Sequence, residues 1–227
     1  MTDWVIGPRF PFSDPSCEAK RVEFQRFLSK YCLVACLLYG IVLVAKERRA
    51  DGKILSVVCA LPPGKSYIVD GTKILPLHPF RIRRRLVGTR APDAKVFGKD
   101  TFKRMGFLRV KLQMIHDPAE AASAASNAEG TPPWYVFLLR TDVDAQGKGC
   151  GTAPLDAIHY LADSDGTDTM LEYSWKKKQR FYCQKMGYQD FGDEILLKDP
   201  KKNKNGYDRV VPLIAAIRSK RQPRLPS

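Results

Sequence analysis

The stretch Val143-Asp144-Ala145-Gln146-Gly147-Lys148-Gly149-Cys150-Gly151-Thr152 constrains this chain more than any other. An apolar run, Trp134 to Leu139, leads into it, and Leu155, Ile158, Leu161 and Ala162 follow at helical spacing. The order reads as a strand, a tight loop and a helix N-terminus. Glycines let the main chain approach an anion closely, and the first free N–H groups of the helix point at it with the positive end of the dipole behind them. The loop is therefore expected to hold a phosphorylated ligand.

Spacing narrows the ligand. A dinucleotide fingerprint counted from Gly147 would need a third glycine where Thr152 stands, and a Walker loop would need Ser or Thr where Gly149 follows Lys148. Gln146, Gly149 and Gly151 instead form Gln-x-x-Gly-x-Gly, with Val143 three residues before the glutamine. Downstream, Leu171-Glu172-Tyr173-Ser174 is followed by Phe181-Tyr182 and then Lys185-Met186-Gly187-Tyr188. On these two separated motifs the chain resembles the GNAT acetyltransferases from residue 134 to about 198.

The resemblance implies an α/β fold with a central mixed, mostly antiparallel twisted sheet flanked by helices. It implies acetyl-CoA as cosubstrate, with Gln146, Gly147, Lys148, Gly149, Cys150, Gly151 and Thr152 on the pyrophosphate and the Val143 backbone on the pantetheine arm. The acid that protonates the departing thiolate falls on Tyr182 when counted forward from Leu171, but on Cys183 when counted back from Gly187. Tyr182 is preferred, because one extra residue in a last helical turn costs less than losing the phenol. A general base must free the amine's lone pair. Asp142, beside the loop, and Glu172, on the neighbouring strand, are both candidates.

A formal net charge of +14 favours anionic partners, CoA and nucleic acid among them. It argues against a polycationic acceptor unless Asp142, Glu172, Asp190 and Asp193 line the mouth of the site. The six cysteines lack paired Cys-x-x-Cys units and companion histidines, so neither a disulfide nor a metal is expected. With no secretory signal evident, a reducing intracellular compartment, the cytoplasm, is the expectation. The uncharged run from Tyr31 to Ala45 falls short of a membrane span and is divided by Gly40.

In chain order, residues 1–13 read as an arm, 14–217 as a single domain with an insertion at about 64–133, and 218–227 as a disordered basic tail. Asp14 and Pro15 open a first helix, and Ile41 to Ala45 and Ile54 to Leu61 form a hairpin. Asp100 caps a helix within the insertion. The stretch Ala119 to Thr131, rich in small residues, reads as a mobile link. His116 reads as a helix end and His159 as a surface residue.

Asp190-Phe191-Gly192 lacks the catalytic loop that a kinase would place before it, and the basic clusters lack the aromatic interleaving of an RNA-binding sheet. The expected function is acetyl transfer to a primary amine of a small molecule or protein. The alternative is a basic nucleic-acid- or ribosome-associated protein that keeps a CoA-binding fold without turnover.

Overall fold

A computed structural model describes residues 10, 14–49, 51–65, 93–127, 129–174, 176–197 and 211–221. Asp14 caps the opening 3-10 turn Pro15–Cys17, its carboxylate accepting from the Ser16 amide at 2.9 Å. That turn feeds α1, Glu18–Tyr39. The hairpin strands are β1, Ile41–Lys46, and β2, Ile54–Leu61. Helix α2, Ala94–Ala125, precedes β3, Trp134–Thr141. There follow α3, Thr152–Ser164, β4, Thr169–Tyr173, and α4, Lys176–Gln179, which runs on as a π-helix over Arg180–Lys185. Strands β5, Gln189–Leu197, and β6, Val211–Arg218, complete the order.

The six strands form one sheet in the order β1-β2-β3-β4-β6-β5. Every neighbouring pair is antiparallel except β3 and β4. The mixed, mostly antiparallel sheet that the resemblance implies is therefore present.

Strand alternation sends successive side chains to opposite faces. Val58 and Ala60 of β2, with Leu171 and Tyr173 of β4, meet Leu155, Ile158 and Ala162 of α3 on one face. Cys59 and Leu61 of β2, with Tyr135 and Met170, meet Ala35 and Cys36 of α1 and Ala119 of α2 on the other. Leu112 and Ile115 of α2 cover Leu213 and Ala215 of β6. Leu155 and Ile158 are fully buried, each contributing about 1.5–3 kcal/mol relative to exposure.

The insertion differs from its sequence reading. Asp93, not Asp100, caps α2, accepting from the Lys95 amide at 2.8 Å, and Gly98 at φ 75° kinks the first turns. The helix continues through Pro118 to Ala125, so the segment read as mobile is helical over most of its length. Ala119 is fully buried, and Ser123 donates to Asp168 at 2.8 Å. Small residues let α2 lie close to the sheet, and alanine is the best helix former. Beyond the helix, Asn127 bonds Thr131 twice, at 2.7 and 2.9 Å.

The tail reading also shifts. Arg218 belongs to β6 and is clamped bidentately by Asp163 at 3.0 and 2.9 Å, while the Arg221 amide donates to the same carboxylate at 2.9 Å. Residues 222–227 and 66–92 lie outside the described residues, as does the arm apart from Phe10, which packs edge-on against Phe97.

Candidate functional site

The glycine-rich loop hangs from the C-terminal end of β3. Asp142 caps a 3-10 turn, Val143–Ala145, by accepting from the Asp144 amide at 3.0 Å. Gly147 and Gly149 then take φ values of 77° and 80°, a region that side chains disfavour, and a Cβ on either would meet nothing within 4 Å. Gly151 has a different constraint, because a Cβ there would stand 2.7 Å from Thr141 Oγ1. This glycine lets the start of α3 press against the end of β3. Among the described residues, the amides of Gly147, Cys150 and Gly151 donate to no backbone carbonyl. Thr152 Oγ1 is buried without a partner. Open main chain, unpaired donors and an orphaned hydroxyl at a helix N-terminus suit an anion.

The loop stands over a split in the sheet. β3 and β4 pair only through Trp134 with Thr169 and Tyr135 with Met170. Beyond that point β3 follows β2 and β4 follows β6, so the two parallel strands part towards their C-terminal ends. A register shift against β2, between Cys59 and Ala60, leaves Phe137 of β3 as an extra residue beside the split.

No protein-family model matches this chain, and no curated protein does. Solved structures do match. Arylalkylamine N-acetyltransferase 2 from Aedes aegypti superposes with a TM-score of 0.55 over 86% of this chain and 80% of its own, at 15% identity. The fold is that of the GNAT acetyltransferases. Other GNAT-fold matches include the Drosophila melanogaster polyamine N-acetyltransferase, at TM-score 0.48 and 14% identity over 81% of this chain and 76% of its own. The histone acetyltransferase HPA2 and related acetyltransferase structure from Corynebacterium glutamicum gives 0.45 and 17% over 99% of this chain and 95% of its own.

Within this GNAT fold the two candidate bases have different surroundings. Both Asp142 oxygens are engaged, one by the Asp144 amide and the other by Lys53 Nζ at 2.8 Å. The Lys53 bond, then that of the amide, holds the Asp142 carboxyl below the usual carboxylate range. Glu172 is instead buried at the split, on the α1/α2 face. Its Oε1 accepts from Tyr135 OH at 2.7 Å, and its Oε2 stands 3.2 Å from His116 Nε2.

The one-residue difference between counting forward from Leu171 and back from Gly187 corresponds to a π-helix. The Met186 amide donates to both Phe181 O, at 3.1 Å, and Tyr182 O, at 3.2 Å, so this turn holds one residue more than an α-helix would. Tyr182 packs between Tyr173 and Tyr188, with ring centroids 5.9 and 6.0 Å away. Burial, and then the charge of Glu172, push its phenol up to about 12. It is the protonated, donor form at neutral pH. Cys183 Sγ donates to Asp190 Oδ1 at 3.2 Å, and burial followed by that bond pushes its thiol up to about 11.

Sequence reasoning missed His116, Tyr135 and Lys53. His116 was read as a helix end but is 1% exposed within α2. His159 was read as surface but is buried, its Nε2 3.1 Å from Tyr188 OH, and burial with the Arg218 charge depresses it to about 3. The partners of both lie far away in sequence, where no local pattern reaches.

Among the described residues no group of three or more His, Cys, Asp or Glu side chains is placed to hold a metal ion. Among the same residues no helix is long and apolar enough to cross a membrane.

Proposed function

We propose that this chain is an acetyl-CoA-dependent N-acetyltransferase that moves the acetyl group directly to a primary amine of a small molecule or protein. The observation that carries this reading is the open glycine loop standing at the parting ends of β3 and β4. Val143, Gln146, Gly147, Lys148, Gly149, Cys150, Gly151 and Thr152 would bind the cosubstrate, with the amides of the loop and the α3 N-terminus facing its phosphates. Once bound, it supplies an activated thioester.

Tyr182 donates a proton to the departing thiolate. A thiol with a pKa of about 8.5 leaves tolerably even without such help, so the phenol acts on rate more than on binding. Glu172 belongs to the proton-accepting side. Asp142 we assign to shaping the loop, because both of its oxygens are engaged there.

Little favours a polycationic acceptor. Asp142 is paired with Lys53, Glu172 lies buried, and Asp190 is held by Tyr173, Gln179 and Cys183. An amine on a neutral or apolar body fits better.

The test is calorimetric titration with acetyl-CoA and, separately, with dephospho-CoA and NAD, followed by thiol release against a panel of primary amines. Tight binding of acetyl-CoA with amine-dependent thiol release supports the reading, and no binding at low salt overturns it. The net charge of +14 sustains one other reading, nucleic-acid association without turnover. Retention on RNA that falls steeply with salt and ignores CoA would favour that instead.

A further inference from the structure

Helix α2, inserted between β2 and β3, brings His116 under the split in the sheet. Its ring stands edge-on to Tyr135, centroids 4.7 Å apart, and its Nε2 faces Glu172 Oε2. Tyr135 OH holds the other oxygen. Helix α2 and strand β3 thus converge on one carboxylate carried by β4, just beyond the last main-chain pair of β3 and β4. Packing alone does not call for this. Leu112, Ile115 and Ala119 of the same helix cover the sheet without buried charge, and a buried ion pair is seldom more stable than apolar residues of similar volume. Tyr182 lies among the residues of the opposite face yet feels the charge of Glu172.

We propose that His116 and Glu172 act as one proton-accepting unit for the acceptor amine, the carboxylate holding the imidazole while the imidazole takes the proton. The inference rests on the acetyltransferase reading. An ammonium N–H bond breaks and leaves its electron pair on nitrogen, and the proton forms an N–H bond on the ring, directly or through a water. The imidazolium is balanced by Glu172. The freed pair forms the N–C bond, the C–S bond breaks with its electrons on sulfur, and Tyr182 protonates the sulfur. The second proton shed by the nitrogen restores the phenol, and His116 releases its own to water between turnovers.

The surroundings fit this role. Burial alone would favour a neutral ring, but the bond to Glu172, with the charges of Glu172, Glu120 and Asp117, outweighs it and raises His116 above 6.5. Around the His116–Glu172 pair stand Tyr135 on β3, Glu120 and Asp117 on α2, and, acting on Tyr135, Cys32 and Cys36 on α1; Tyr182, in the π-helix on the other face, responds to the Glu172 charge. The neutral ring is the accepting form, so turnover rises with pH through the His116 value.

The experiment compares wild type, His116→Gln and Tyr135→Phe. It measures kcat and KM against pH with acetyl-CoA and the most active primary amine of a panel, acetyl-CoA binding by calorimetry, and imidazole titration by NMR. His116→Gln should lower kcat about 10²–10⁴-fold. Acetyl-CoA affinity should stay within about twofold, and the acidic limb of the profile should disappear. One of the three histidines should titrate above 6.5 with the midpoint of that limb, and vanish in the variant. If His116→Gln does not fold, Tyr135→Phe decides, because the limb and the NMR midpoint must then move together.

An acidic limb that persists in His116→Gln, or that fails to follow the NMR midpoint in Tyr135→Phe, overturns the proposal alone. A wild-type protein that binds no acetyl-CoA overturns the acetyltransferase reading and the proposal with it.

Discussion

Tyr135 on β3 holds Glu172 on β4 at 2.7 Å just beyond the point where the main-chain pairing of these strands stops. The phenol pKa is driven well above its usual value, by burial first and then by the Glu172 charge and bond, so the hydroxyl remains a donor. A side-chain bond thus continues what the ladder leaves off. The two strands therefore stay coupled through side chains where their main chains have parted.

Gly149→Glu should abolish acetyl-CoA binding while leaving the fold nearly intact. The position has φ 80° and open space around it, so a side chain costs only backbone strain, on the order of 1–2 kcal/mol. Calorimetry should show no binding and thermal unfolding a small shift. Unchanged affinity would remove the loop from the site.

Gly151→Ala should destabilise the fold itself. The new Cβ meets Thr141 Oγ1 at 2.7 Å, and overpacking of this kind costs about 1–3 kcal/mol. Thr141→Ala removes the obstructing oxygen, so the double variant should recover most of the loss in urea unfolding. Independent, additive effects would mean that the contact does not matter.

Tyr182→Phe should lower kcat with little change in acetyl-CoA affinity. Cys183→Ala should leave kcat near wild type, since its thiol is committed to Asp190. Steady-state kinetics of the two variants decide between them, and the reverse result would place the acid on Cys183.

Asp163→Asn should cost about 3 kcal/mol near neutral pH, because Arg218 would be left buried without its counter-charge. Burial works against the Asp163 carboxylate, but the Arg218 and Arg221 bonds outweigh it and its folded pKa is lowered. The stabilisation is therefore fully present above the unfolded value of about 3.9 and is lost as pH falls through the folded one. Urea unfolding at a series of pH values should show wild type and variant converging in acid.

Deleting residues 121–126 should unfold the protein or lower its melting temperature sharply. Ser123 Oγ is buried against Asp168, and such a hydrogen bond to a charged group contributes about 1.5–3 kcal/mol before the loss of helix is counted. A thermal melt close to wild type would mean that this end of α2 is dispensable.

The strand, glycine loop and helix around residue 147 were legible because their chemistry is local: an unbroken apolar run, then glycines, then apolar residues at helical spacing. The hairpin of β1 and β2 was legible for the same reason. The course of α2 was not. Alanine and serine at position 119 and at 121 to 125 look like linker by composition, but they are the side chains small enough to bring a helix against a sheet. His116 and Glu172 are 56 residues apart, and His159 and Tyr188 are 29 apart, so their burial follows from topology that no short window contains. Motif counting left a one-residue discrepancy between Tyr182 and Cys183, and the π-turn behind it became visible only in the backbone.

Asp168 receives Ser123 and Ser126 from the end of α2 on one oxygen and the Lys220 amide, just past β6, on the other. Two segments almost a hundred residues apart therefore share a single latch. Neither can lift from the sheet without exposing the other's half of the bond. In hydrogen exchange they should open as one cooperative unit, and a fluorophore at position 220 would sense the loosening of a helix end almost a hundred residues earlier in the chain.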